Sequence, residues 1–263
     1  MAGPPDVRSR VTAARSVAVL LALVALFIMM GLIDLLTLPG WVDQRYEWEV
    51  PLEASWGALF TFFLAGGYVW VALFPRAPWP ALVQLAISAS ALLVSAGAGA
   101  DPRPLVVALG VVGSGLVLWL LLGRPPAPRL ARPAVAWAPM TVALLGFPLW
   151  LPYTIEALAR SRSGELGTIT QGIEHWPVQG AVAVAVLLAS LTVSLWEGAR
   201  PLLRVAIAPS AVYIGMAELA HPDRAGAMGS LPWGVGVTLW GLLVALVVVP
   251  RSRTGNGAGH ADA

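Results

Sequence analysis

Eight apolar runs constrain this chain more than anything else in it. A bilayer core about 30 Å thick is crossed by roughly 20 apolar residues of helix. Runs of about that length lie at residues 17–38, 54–74, 81–100, 105–122, 134–153, 178–196, 202–219 and 231–249. Between them stand polar or proline-rich breaks such as Pro75-Arg76-Ala77-Pro78 and Asp101-Pro102-Arg103-Pro104. Proline at a helix start costs no backbone bond, because first-turn N–H groups have no intrahelical partner. The pattern predicts an all-α polytopic membrane protein with eight transmembrane helices. Only 11% of the residues are charged, where a soluble domain carries about a quarter. The run at 202–219 is the least regular: Arg204, Pro209 and Glu218 interrupt it, and neighbouring helices must satisfy the backbone that Pro209 frees.

Arginine placement sets the expected orientation. With the N-terminus inside, the inner segments hold Arg8, Arg10, Arg15, Arg76, Arg124, Arg129, Arg132, Arg200, Arg204, Arg251 and Arg253. The outer ones hold only Arg45, Arg103, Arg160, Arg162 and Arg224. Basic residues favour the cytoplasmic side, so both termini are expected in the cytoplasm, with the chain multi-pass in a plasma (inner) membrane. Of the carboxylates, only Asp6, Glu197 and Asp262 fall inside. The first run, though preceded by arginines, is longer than a signal-peptide core and lacks a small-x-small cleavage pattern, so it is expected to remain as span one. The Arg, Ala, Gly and Pro bias is bacterial in style.

The chain divides into a disordered basic tail (1–15), a first membrane unit (16–123), a Pro/Arg linker (124–133), a second membrane unit (134–250) and a disordered tail (251–263). The two units look like parallel four-helix repeats. Pro80-Ala81-Leu82 matches Pro201-Leu202-Leu203, and Gly113 to Trp119 matches Gly234 to Trp240 at the same offset. Pro51-Leu52-Glu53 falls on Pro177-Val178-Gln179. Four spans per unit give both copies the same orientation, with any pseudo-two-fold axis along the membrane normal.

Several chemistries are excluded. Cysteine is absent, which removes thiolate metal sites, Fe–S clusters and thiol catalysis. Lysine is absent too, which removes Schiff-base and Walker-type readings. No Gly-rich phosphate loop or nucleic-acid module is present, and the net charge is only +2. The expected partners are the lipid bilayer and a small-molecule or lipid ligand, with a homo-oligomer or a membrane complex also open. The residues name no cofactor.

Chemically capable side chains gather at two loop-to-helix junctions, Glu49-Val50-Pro51-Leu52-Glu53 and His175-Trp176-Pro177-Val178-Gln179. With Asp34, Glu218 and His221 they form a candidate outer binding set: Asp34, Glu49, Glu53, His175, Gln179, Glu218 and His221. Ionisable groups at membrane depth are costly and point to function; the bland alternative is that they sit hydrated at headgroup level and merely end their helices. His175, Glu218 and His221 are candidate metal ligands, using N and O donors. Glu218 and His221 share a helix face as in Glu-x-x-His di-metal bundles, but the second such pair is missing. Glu53 reads either as a cap at a helix N-terminus, where the dipole favours an anion, or as a buried acid able to protonate an alkene or carry a proton. Glu53 and Glu218 are the candidate catalytic acids. Pro51-Leu52-Glu53 resembles the Pro-x-Glu motif of the small membrane carotenoid (lycopene) cyclases. Those proteins have a second acid directly after it, where Ala54 stands here, and the likeness spans a single loop. That family's function is therefore not carried over.

Asp34, the acid deepest in an apolar run, could couple proton movement to export, releasing its proton when a cation binds. Its counterpart near Leu149 is apolar. Gly113-Ser114-Gly115 with His221 suggests an intramembrane serine protease, but the preceding glycine is missing, and Gly110, Gly113, Ser114 and Gly115 serve close helix packing as well. Trp41, Trp48, Trp56, Trp79, Trp150, Trp176 and Trp233 lie near span ends, as in an aromatic belt, whereas Trp119, Trp137 and Trp240 read as packing. Two function classes follow. One is a non-catalytic, transport-like protein handling a small molecule, lipid or proton at an outward-facing polar pocket. The other is an intramembrane enzyme acting on an isoprenoid or lipid by acid–base chemistry. A scaffold subunit of a membrane complex would need no polar pocket.

Overall fold

The structure, a computed structural model, describes residues 7–36, 48–128, 135–166 and 175–247. The described residues are helical, without strands. Seven helical segments are long and apolar enough to cross a membrane: Val7–Ile28, Val50–Leu73, Trp79–Ala98, Arg103–Leu121, Trp137–Ser163, Trp176–Leu195 and Glu197–Ala220. An eighth apolar helix, Leu231–Leu246, is shorter. This architecture fits a multi-pass membrane protein, and a helix lies in each of the eight apolar runs.

The elements in order are α1 (Val7–Leu23) with a π-helical turn (Val24–Ile28), α2 (Gly31–Leu35), α3 (Val50–Gly57) with a π-helical stretch (Ala58–Ala65), and α4 (Gly66–Leu73). Then come α5 (Trp79–Ala98), α6 (Arg103–Leu121), α7 (Trp137–Ser163), α8 (Trp176–Leu195), α9 (Arg200–Ala220) and α10 (Leu231–Leu246). Short connections turn the chain back and forth between two ends. One end gathers Asp34, Glu49, Glu53, Asp101, Glu156, Glu165, Glu218 and Asp223, and is the acidic end below.

α8 is the central helix, with 72% of its apolar window buried, against 22% for α1 and α6 on the rim. It packs on α7, α5, α9 and α3. Leu109 and Val106 on α6 and Leu20 on α1 are exposed; outward apolar faces of this kind suit lipid.

Several expectations need correction. Residues 7–15 belong to α1, so only residues before Val7 are left to the proposed N-terminal tail. The tail beyond Arg251, residues 129–133 of the linker, Trp41 and Arg45 lie outside the described residues. Span one is not continuous: after the π-helical turn, Met30 takes a left-handed φ of 57° and α2 starts anew. Span five, expected to end at 153, runs on to Ser163. Trp150, Trp176 and Trp233 are buried, not interfacial. Trp233 and Trp240 donate their indole N–H groups to the carbonyls of Leu149 and Val142 at 2.8 and 2.7 Å. A buried indole usually finds such an acceptor, and here a neighbouring helix supplies it, whereas the buried Trp150 and Trp176 nitrogens have no hydrogen-bond partner. A Cβ on Gly110, Gly113 or Gly115 would meet nothing within 4 Å, so these glycines are not at a close helix contact.

Polar side chains repair the irregular stretches. Gln84, buried on α5, donates Nε2 to the carbonyls of Phe62 and Phe63 at 3.1 and 2.6 Å, inside the π-helical stretch. Pro209 lies within an unbroken α9. Arg204 reaches from α9 to the carbonyls of Val244 and Ala245 at 3.0 and 2.5 Å, where a cation meets the negative C-terminal end of α10.

Candidate functional site

All seven residues of the binding set are described and all are buried, between 1% and 8% exposed. They are not a hydrated fringe at helix ends. Leaving ionisable groups out of water costs free energy unless partners compensate, so the partners define the site.

Asp34 is placed by the break in the first span. Because the helix stops at Met29, its carbonyl lacks a helical donor, and Trp56 Nε1 supplies one at 2.7 Å. The Tyr213 hydroxyl, on α9, donates to the carbonyl of Leu35 at the end of α2. Between these ties α2 presents Asp34 to α3, which starts at Val50 with Pro51 in its first turn. Glu53 thus lies in the first turn of α3, and Glu49 holds the N-cap position. Glu49 and Glu53, four apart, share a face. The Glu53 carboxyl hydrogen-bonds the carboxyl of Asp34, and the charge of Glu49 acts on it as well. One carboxyl donates to another only when one of them carries a proton, so Asp34 and Glu53 form a proton-sharing pair.

His175 stands just ahead of α8, its Nδ1 3.8 Å from Glu53 Oε1. That is too far for a hydrogen bond, and Nδ1 has no hydrogen-bond partner. The Trp56 ring meets the imidazole edge-on with centroids 4.5 Å apart, and Trp56 stacks on Phe60 at 4.9 Å. Asp34, Glu49, Glu53 and His175 are therefore brought together by α2, α3 and the start of α8.

Gln179, one turn further along α8, belongs to a second polar row. Its Nε2 donates to the carbonyl of Gly226 at 2.6 Å, and it also bonds the Tyr153 hydroxyl. Tyr153 and Ser55 share a hydrogen bond of 2.7 Å, and the Ser55 hydroxyl is 2.9 Å from the carbonyl of Pro51. Glu218 is occupied: its carboxylate accepts the N–H groups of Met228 and Ser230, each at 2.8 Å, and so pins the loop after α9. His221 ends α9 beside Asp223 and Arg224, and its buried Nε2 has no hydrogen-bond partner. Among the described residues, no three of His, Asp and Glu are placed to hold a metal ion. Ser114 bonds Tyr68 at 2.7 Å and the carbonyl of Val111 at 2.8 Å, an arrangement that engages no histidine.

Trp56, read from the sequence as a belt tryptophan, and Ser55, Tyr153 and Gly226, which the sequence does not single out, frame the cluster. Tyr153 was within reach, as a phenol inside an apolar run beside Pro152. Gly226 was not, since its contact is with a distant helix.

Burial pushes His175 down from its ordinary 6.5 to about 4, so it is neutral at physiological pH. Burial, and secondarily the Arg224 guanidinium, also hold His221 below its usual value, with Asp223 pulling the other way. For His175 the unfolded chain binds the extra proton between pH 6.5 and 4, so folding is weakened as pH falls through that window. The limit is about 3 kcal/mol, from a shift of roughly 2.5 units at 1.36 kcal/mol each. Thermal unfolding in detergent should therefore lose more stability on acidification in the wild type than in His175→Asn. Parallel pH profiles would remove this role for His175.

No family model, no curated protein and no solved structure matches this chain. The site must be read from its own chemistry.

Proposed function

We propose that this chain is an eight-span plasma-membrane protein with both ends in the cytoplasm, and that it handles a small molecule, lipid or proton in a transport-like way at its acidic end, which faces outward. The arginine distribution supports the orientation. The packing supports two related four-helix units: α5 lies against α8 much as α9 lies against the α3–α4 span, and α1 touches α4 and α6 as α7 touches α8 and α10.

One observation carries the functional reading. Acids and an imidazole from separate helices are withdrawn from water into one cluster, Asp34, Glu49, Glu53 and His175. A scaffold would gain nothing from that cost, whereas a protein that binds and releases a solute or a proton needs such groups inside. An acid–base enzyme would have to rely on Glu53 with Asp34, because Glu218 is committed to the Met228 and Ser230 amides.

The test is flux of a panel of small cationic, anionic and neutral solutes into proteoliposomes. Asp34→Asn, Glu53→Gln and His175→Asn should each lower it at least about tenfold, equivalent to 1.4 kcal/mol, with normal insertion. Undiminished flux in all three variants would sink the reading. Turnover of a lipid extract in detergent, with no gradient and no flux, would favour the enzyme.

A further inference from the structure

We infer that the space bounded by Asp34, Glu53 and His175 binds one compact ammonium group in exchange for the proton that the two carboxyls share. The inference deepens the transport-like reading and rests on it, since it names what the same site takes up.

The chemistry of the facing atoms selects the ligand. Glu53 Oε1 and His175 Nδ1 stand 3.8 Å apart. The imidazole is buried, 8% exposed, and Nδ1 has no hydrogen-bond partner. In a neutral imidazole one nitrogen keeps a bare lone pair, and an unpartnered Nδ1 turned toward carboxyls suits that role. Gln179 Oε1, on the same face of α8, is also buried without a partner. These atoms accept; none of them needs an anion. A separation of 3.8 Å lets one ammonium nitrogen make charge-assisted bonds of about 2.8 Å to both atoms.

Two further features narrow the class. No three of His, Asp and Glu among the described residues meet the geometry of a metal site, which disfavours a metal ion and leaves an ammonium group. The edge of the Trp56 ring and Phe60 beyond it wall the imidazole with aromatic carbon, which keeps the local dielectric low and strengthens a buried charge pair. The titratable groups at the space are Asp34 on α2, Glu49 just ahead of α3, Glu53 in its first turn, and His175.

The exchange balances. The cation enters, the O–H bond of the shared carboxyl proton breaks, and that proton passes to water. Two carboxylates remain with the cation between them, so a monovalent ion leaves the net charge of the site unchanged. No oxidant or co-reactant is required.

The experiment uses the full chain, purified in detergent in an amine-free, weakly buffered solution with a pH-indicator dye. Sodium, potassium, ammonium, methylammonium and zinc chlorides are added separately, with choline chloride as the ionic-strength control. The expected result is saturable release of about one proton per chain with ammonium or methylammonium, and none above the choline control with sodium, potassium or zinc. Release should vanish in Asp34→Asn and Glu53→Gln, need at least about tenfold more cation in His175→Asn, and persist in Glu156→Gln at the exposed acidic end. Should Asp34→Asn fail to fold, Glu53→Gln and His175→Asn carry the same comparison. No release with either ammonium salt, undiminished release in both carboxyl variants, or equal release with sodium, potassium or zinc would overturn the inference. Release without flux would keep this inference and remove the transport reading; flux without release would do the reverse.

Discussion

Valine in place of Gly226 should leave little folded protein. Gly226 has φ +89°, a region that a β-branched residue adopts only with strain. A Cβ there would also lie 2.7 Å from Leu52 Cγ and 2.8 Å from the Leu52 backbone nitrogen. The side chain could turn away, but the backbone nitrogen of α3 could not. Nor can the loop retreat freely: the Gly226 carbonyl is held by Gln179 and the Met228 and Ser230 amides by Glu218. Backbone strain of about 1–3 kcal/mol and overpacking of about 1–3 kcal/mol together approach the 5–15 kcal/mol that keeps a typical domain folded. Size-exclusion profile and thermal midpoint in detergent read the effect, with Gly226→Ala falling between valine and wild type. A monodisperse Gly226→Val protein with an unchanged midpoint would mean that the loop is not seated on α3.

Loss of that loop would be felt at the acid cluster, because the same segment joins α3, α8 and α9. Gln179 holds its carbonyl from α8, Glu218 holds its amides from α9, and Leu52 underlies it one residue before Glu53. The cluster is thus framed by elements that meet only in the folded chain.

That explains which features the residues disclose in advance. The helices are legible because apolar transfer sums over a window, so runs such as 178–196 and 105–122 announce themselves without any knowledge of neighbours. The candidate residues are legible as types, since acids and histidines beside apolar runs are rare enough to notice. Their depth is not. Arginine asymmetry marks the two ends of the helices, but whether Glu53 at such an end meets water or Asp34 depends on a helix far back in the chain. The tryptophans mislead for a similar reason: counting residues puts Trp150 and Trp233 near span ends, whereas Trp233 finds an acceptor on α7 and Trp150 packs among the rings of Tyr153, Trp233 and Trp240. Gln84 is the reverse case. A lone amide in the run 81–100 was a visible signal, yet its purpose, two carbonyls in a π-helical stretch, has no signature in local sequence.

The break that positions Asp34 is the least legible feature and gives the second large effect. Met29 and Met30 sit in an unremarkable apolar run, and neither proline nor a turn dipeptide marks the stop. The cause is Gly31, which lets α2 lie directly on the π-helical stretch after α3. A Cβ there would come 2.7 Å from the Cβ of Phe60 and 2.8 Å from the carbonyl oxygen of Ala25. Both atoms are fixed to backbone, so no rotamer change relieves the contact. The Tyr213 hydroxyl on the carbonyl of Leu35 and the Trp56 indole on that of Met29 prevent α2 from sliding aside intact. Gly31→Val should therefore lift α2 off α3 at a cost of about 3 kcal/mol, and part the Asp34 and Glu53 carboxyls. Hydrogen exchange should show protection lost across residues 31–36, with α10 unchanged, and the thermal midpoint should fall. Because Asp34 itself is untouched, a variant that keeps wild-type exchange in that segment would show that the chain break does not depend on Gly31. A variant that loses it while Glu53 and His175 remain in place would tie the acid pair to this single close contact.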